Sequence, residues 1–186
     1  RIAVGFGLSA ALAISLAFLC GSFPPLLVQL DPTLEFLRHI PPMAVIPMLI
    51  LWFGIGESPK IILIILATFF PVFLNTLQGV RGCDPGLIEV ARVFGYSRWE
   101  RCRHVILPSA LPAILTGLQL GLGYSWRSLV AAELVAASSG LGYMILDAEQ
   151  LSRSDVVLMG ILVIGALGAA LDYLFVIISK AAGRVR

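Results

Sequence analysis

Five stretches of this chain carry no Asp, Glu, Lys or Arg: residues 2–30, 40–56, 61–80, 105–126 and 156–171, the last resuming beyond Asp172 as far as residue 179. A helix that crosses a hydrocarbon core needs roughly 20 largely apolar residues. Four of the runs reach or approach that length alone, and the second reaches it when its helix starts near Leu34. Irregular backbone is costly in lipid, so the pattern predicts an all-α membrane protein with about five spanning helices. A sixth stretch, residues 128–146, is interrupted by Glu133, Gly140 and Gly142 and is expected to be re-entrant or interfacial.

Composition narrows the class from the other side. The chain is 59% hydrophobic and 13% charged, with a mean hydropathy of +0.96. Soluble domains run at about 45–50% apolar and about 25% charged, so a disordered chain or a conventional soluble enzyme is excluded. A net charge of +2 and a pI of 8.6 supply no concentrated basic field for nucleic acid. Arg1 followed by an apolar run with Ala11-Leu12-Ala13 imitates a signal peptide. The run is about twice as long as a signal h-region, so it reads as a retained helix. The first residue is Arg rather than Met. The expectation is therefore one transmembrane domain over residues 1–186, cut from a longer chain with a further N-terminal span.

The basic residues orient the runs. Arg81, Arg92, Arg98, Arg101 and Arg103 lie between the third and fourth runs, Lys180, Arg184 and Arg186 follow the fifth, and Arg38 precedes the second. The opposite side receives Arg1, Lys60, Arg127 and Arg153. Positive residues are retained in the cytoplasm, which places the 82–108 loop and the C-terminal end inside. Cys20 falls in a run, while Cys83 and Cys102 fall in the loop, where a cytoplasmic setting disfavours disulfides. Cys102, His104, His39 and Cys83 lack the spacing of a zinc site, and no metal is expected.

Residues 82–108 are the most informative part of the chain. Asp84-Pro85 reads as an N-cap and a first-turn proline, with Gly95 as the C-terminal stop. Between them Leu87, Val90, Ala91 and Phe94 share one helical face. Ser97 and Glu100 form a capping box that opens a second short helix, with Trp99, Cys102, Val105 and Ile106 along one side. Two readings of this amphipathic, basic pair stand level on the residues alone. It is either a membrane-surface element in the head groups or a docking element for a cytoplasmic partner.

Glu89-Val90-Ala91, three residues, Gly95, nine residues, then Val105-Ile106-Leu107-Pro108 resembles the loop signature of binding-protein-dependent ABC importer permeases, Glu-Ala-Ala-x3-Gly-x9-Ile-x-Leu-Pro. Val90 and Val105 are mild departures from it. Pro41-Pro42-Met43-Ala44, Leu51-Trp52-Phe53-Gly54, Phe69-Phe70-Pro71, Val130-Ala131-Ala132-Glu133-Leu134 and Ser139-Gly140-Leu141-Gly142 are similar to the nitrate/taurine/sulfonate-type subfamily. The resemblance implies the type I importer transmembrane core, in a bacterial inner membrane. It implies that Glu89, Val90, Ala91, Gly95, Ser97, Arg98, Val105, Leu107 and Pro108 belong to a coupling loop seated on a cytoplasmic ABC ATPase dimer. It also implies a second permease subunit, as a homodimer, and a periplasmic or lipid-anchored substrate-binding protein. The cargo expected is a small anion such as a sulfonate, taurine or nitrate. The chain has no G-x-x-x-x-G-K-[ST] loop, and its lysines are Lys60 and Lys180. It is thus expected to be a non-catalytic subunit without a cofactor, with ATP and Mg held by the partner ATPase. This absence favours a docking partner over lipid.

Within the runs, Pro41, Pro42, Pro47, Pro71 and Pro112 read first as kinks for packing, with residues 40–47, including Met43, as a candidate gate. Gly117-x-x-x-Gly121 is a close-packing strip. Asn75, Gln119 and Glu133 are expected to face the bundle interior along a translocation pathway, since exposure to lipid is costly. Arg127 is a candidate partner for Glu133, and Asp172 is expected to pair with a basic group near the cytoplasmic end of its helix. The rival function is an ion-gradient-driven secondary transporter or channel, with Asp172 or Glu133 as the titrating group.

Overall fold

The computed structural model describes residues 1–136 and 139–181. Nine α-helices are found among them, with no strand: α1 (Ile2–Ser22), α2 (Pro24–Arg38), α3 (Ile46–Phe53), α4 (Glu57–Arg81), α5 (Pro85–Val93), α6 (Arg98–Arg101), α7 (Leu107–Ala136), α8 (Leu141–Gln150) and α9 (Ser154–Ala181). A 3-10 turn over Pro42–Val45 precedes α3, and a π turn over Cys102–Ile106 joins α6 to α7. Arg184 and Arg186, counted above toward the orientation of the chain, lie outside the described residues.

Three long helices form the centre. α1 and α4 run parallel, with Gly5 against Ile64, the Ser9 hydroxyl donating to the Ile65 carbonyl at 2.8 Å, and Gly21 against Val80. α4 and α7 run antiparallel, from Gly79 beside Ala113 to Thr68 and Ser125, whose buried hydroxyls share a hydrogen bond of 2.6 Å. α9 runs antiparallel to α7. The Trp126 indole donates to the Ile164 carbonyl at 3.2 Å, and the Gln119 amide donates to Asp172 at 2.9 Å. The core gathers where α1 meets α4, around Ala13, Ala17, Cys20, Val72, Phe73 and Leu77.

Four helical segments are long and apolar enough to cross a membrane: Ile2–Ser22, Glu57–Arg81, Arg98–Val135 and Ser154–Lys180. A fifth crossing is the pair Pro24–Arg38 and Pro42–Phe53, bent by 81°. Five crossings match the number expected, but two boundaries differ. The first run does not continue to residue 30. Pro24 and Pro25 supply no amide hydrogens for a preceding helix, so α1 stops at Ser22 and α2 begins anew. The second span is not a straight helix over residues 40–56. Pro41 and Pro42 break it, leaving eight-residue α3 beyond the bend. Its two limbs still make one net crossing. Leu26, Leu27, Leu30 and Leu34 of α2 pack against the α1–α4 core, while Ile46 and Leu49 of α3 reach Leu63 and Ala132.

Residues 128–146 do not form one re-entrant unit. Ser128 through Ala136 continue α7, and α8 is a separate helix, seated by Gly142 against Val130 and Glu133 and by Ile145 against Gly160. Likewise α6 runs through the π turn into α7 rather than ending in the loop. The Leu107 N–H donates back five residues to the Cys102 carbonyl. Pro108 lacks the N–H that would meet the His104 carbonyl and its ring crowds that group, and the wider turn accommodates it. The α-helical spacing that placed Trp99 with Cys102, Val105 and Ile106 therefore fails at this turn. Trp99 is exposed while the other three are half-buried.

The Gly117-x-x-x-Gly121 strip serves packing inside the chain. A Cβ on Gly117 would lie 2.9 Å from the Asn75 Cβ and 3.2 Å from the Pro71 carbonyl oxygen. Gly117→Val is expected to destabilise the fold by about 1–3 kcal/mol through overpacking. Gly165→Ala, where nothing lies within 4 Å, should leave stability unchanged or slightly raised. Melting temperatures in one detergent compare the two, and equal melting would show that the α4–α7 approach is not tight.

Candidate functional site

Two features stand out, one at the end of the bundle and one on its flank. At the end, the 82–108 loop is fixed by hydrogen bonds at every corner. Asp84 Oδ1 accepts from the Gly86 N–H at 2.8 Å, with Pro85 in the first turn of α5. At the other end of α5 the Gly95 N–H donates to Arg92 and the Tyr96 N–H to Ala91, each at 3.0 Å. This doubled closure requires a left-handed residue, and Gly95 supplies it at φ +79°. Ser97 and Glu100 then form the reciprocal capping box, at 2.8 and 3.3 Å. His104 Nδ1 lies 3.0 Å from the Glu100 carbonyl oxygen, and its ring meets Tyr96 edge-on at 5.9 Å between centroids.

This frame encloses a groove of about 470 Å³ between α5 and the start of α7, lined by Leu87, Val90, Ala91, Phe94, Val105 and Pro108 among others. Ala91 is buried, but Val90 is 53% and Phe94 75% exposed, and neighbouring Val93 reaches 87%. Glu89, Arg92, Arg98 and Arg103 are exposed elsewhere on the same loop. Among the described residues none of those four forms an ion pair. Thus Val90, Ala91, Val105 and Pro108 line one groove, Gly95 and Ser97 shape the turn beside it, Leu107 begins α7, and Glu89 and Arg98 are exposed on the same loop without lining the groove. The result is a hydrogen-bonded frame carrying an exposed apolar surface on a loop rich in arginine.

On the flank, the bent α2–α3 limb stands off from α4 and α7 and leaves a cavity of about 1250 Å³. Pro41, Pro42 and Met43 line it at the bend. Asn75, Gln119 and Glu133 do not. The Asn75 amide donates to the Pro71 carbonyl at 2.8 Å, at the contact with Gly117. Gln119 turns to Asp172 on α9. Glu133 is buried, accepting from the Gly142 N–H at 3.1 Å and from Arg1 at 3.3 Å. Arg1 also pairs with Glu57, which holds the buried Lys60 at 3.2 Å.

These contacts correct three expectations. Arg127 is not the partner of Glu133. Six residues apart on one helix, the two point to different sides, and the Arg127 guanidinium lies over the Tyr124 ring at 4.7 Å. Asp172 finds an amide rather than a basic group, because it sits at the depth of Gln119 instead of at the helix end. Arg38 does not sit in a surface loop. It ends α2 at the cavity wall, paired with Glu35 at 2.6 Å. Arg38 and Arg127 were both read as charges between spans. The missed signal was the unbroken helical pattern running from residue 107 past 127, which places Arg127 within a span. Among the described residues no three His, Cys, Asp or Glu side chains converge on a common point.

Residues 4–184 match the family described as binding-protein-dependent transport system inner membrane component. The chain belongs to this family. It is 47% identical over 172 residues to a Bacillus subtilis (strain 168) protein named as an aliphatic sulfonates transport permease, covering 92% of this chain and 62% of the relative. Against the taurine transport system permease protein of Escherichia coli (strain K12), identity is 45% over 170 residues, 91% of this chain and 60% of the relative. Against the bicarbonate transport system permease protein of Synechococcus elongatus it is 36% over 173 residues, 92% and 62% of the two chains. The chain therefore spans about three-fifths of the length of these curated relatives. As a member of an inner membrane component family with several spanning helices, it is a multi-pass membrane protein.

The capping box makes the loop testable. Ser97→Ala is expected to cost the turn about 1 kcal/mol and to speed hydrogen exchange at the Glu100 amide about fivefold, with the α4–α7 amides unaffected. Unchanged exchange at Glu100 would show that the box does not hold the loop.

Proposed function

We propose that this chain is a membrane-spanning permease subunit of an ABC importer, providing the pathway for a small anion delivered by a binding protein. The observation that carries this reading is the 82–108 loop, which is rigid, joined to α7 through a continuous helical rod, and uncovered on its apolar side. A surface so held has the form of a seat for a cytoplasmic partner. Force applied to it passes through α6 and the π turn into α7 without a flexible joint. The partner proposed is an ABC ATPase dimer, which binds ATP and Mg; this chain supplies no cofactor and no catalysis. A second permease copy and an external binding protein complete the assembly. The relatives named for sulfonates, taurine and bicarbonate support an anionic cargo.

The rival reading, an ion-gradient carrier titrating at Glu133 or Asp172, has less support. Glu133 is engaged by Arg1 and the Gly142 amide away from the cavity, and Asp172 is engaged by Gln119.

Gly95→Leu places a branched side chain at φ +79°, a conformation costing roughly 1 kcal/mol or more outside glycine. In proteoliposomes holding the permease, its ATPase and its binding protein, this variant is expected to insert normally while ATP-driven uptake falls at least tenfold. A cysteine at Glu89 should cross-link to the co-purified ATPase. Wild-type uptake by Gly95→Leu, together with failure of cross-linking across the loop, would return the loop to the lipid surface.

A further inference from the structure

Arg127 lies nine residues before the end of α7, about 14 Å along the helix axis, and is exposed to the flank cavity. A cation against an apolar wall is costly unless it faces water, a counter-charge or a ligand. Its neighbours supply no counter-charge. Nε donates to the Gly123 carbonyl at 3.1 Å and the guanidinium carbon lies over the Tyr124 ring, 4.7 Å from its centroid. Among the described residues no carboxylate lies within 4.0 Å of it, and its terminal NH2 groups make no hydrogen bond. The other cation on the same wall, Arg38, is already matched by Glu35. Beyond Arg38, His39, Tyr124, Arg127 and Ser128 the lining is almost wholly hydrocarbon and aromatic, with Met48, Trp52, Leu66 and Phe70 on the wall.

We propose that Arg127, steadied by Tyr124, is the seat for the acidic group of a water-soluble amphiphilic anion whose hydrocarbon body lies on the Met48–Trp52–Leu66–Phe70 wall. A guanidinium set over an aromatic face keeps its two free NH2 groups as a fork, which matches a sulfonate or carboxylate with two parallel hydrogen bonds. The cavity of about 1250 Å³ exceeds the roughly 300–1,000 Å³ of ordinary ligand pockets, so the anion is held at one charged point within a wider vestibule. A phospholipid head group offers the same acidic chemistry, and the phosphatidylglycerol arm of the test separates the two sources. The transport role of the site rests on the importer reading; binding itself does not.

The test is calorimetric titration of alkanesulfonates into the full chain in phosphatidylcholine nanodiscs. Hexanesulfonate should bind saturably, and affinity should rise about fourfold per CH2 from butane- to hexanesulfonate. Hexyltrimethylammonium should not bind. Arg127→Gln should weaken hexanesulfonate at least tenfold, and Arg127→Lys should recover most of the loss. Adding phosphatidylglycerol should leave the affinity unchanged. No binding by the wild-type chain, equal binding of the cation, equal binding by Arg127→Gln, or displacement by phosphatidylglycerol would each overturn the proposal, the last in favour of a lipid site. If Arg127→Gln melts early, Arg127→Lys and the cation comparison decide alone. ATPase co-purification is scored separately: sulfonate binding without an ATPase partner would leave this site standing and remove the importer reading.

Discussion

The antiparallel contact of α4 with α7 is the interaction on which the rest of the molecule depends. It is close because Gly117 and Gly121 present no side chain to Val72, Asn75 and Thr68, and it is pinned by the buried Thr68–Ser125 hydrogen bond. In lipid the helices gain little from the hydrophobic effect against one another, so packing of small residues and a few internal hydrogen bonds carry the association. With α4 and α7 locked, the turn between them must lie at one end of the pair. That turn is the 82–108 loop. α1 then packs along α4, α9 along α7, and the bent limb has only the remaining flank to occupy.

The same contact relates the two functional features. One helical rod from Arg98 to Val135 is part of the loop groove at Val105 and Pro108 and part of the cavity wall at Tyr124 and Arg127. The loop end and the cavity wall are thus joined by the backbone hydrogen bonds of one helical segment. The π turn at Cys102–Ile106 is the one departure from α-helical pitch in that rod. It lies between the groove and the spanning part.

Much of this was legible in the residues. The apolar runs foretold five crossings, and the caps at Asp84, Gly95 and Ser97 foretold the loop's turns, because both signals are local. The charge-free runs failed as guides to helix ends, since Pro24 and Pro41–Pro42 interrupt the backbone without adding charge. Charge failed as a guide to depth at Arg38 and Arg127, which count as loop residues only when each apolar run is equated with a helix. The partners of Glu133 were out of reach, because Arg1 and the Gly142 amide approach it only once α1, α7 and α8 are packed.

On the proposed reading, transport through this chain is driven by a partner seated on the loop. It is tested most directly by anion uptake into proteoliposomes containing the permease and its binding protein, with and without the ATPase. ATP-dependent uptake is expected only when the ATPase is present, and none from a proton or sodium gradient. Uptake driven by an ion gradient in the absence of any ATPase would contradict it.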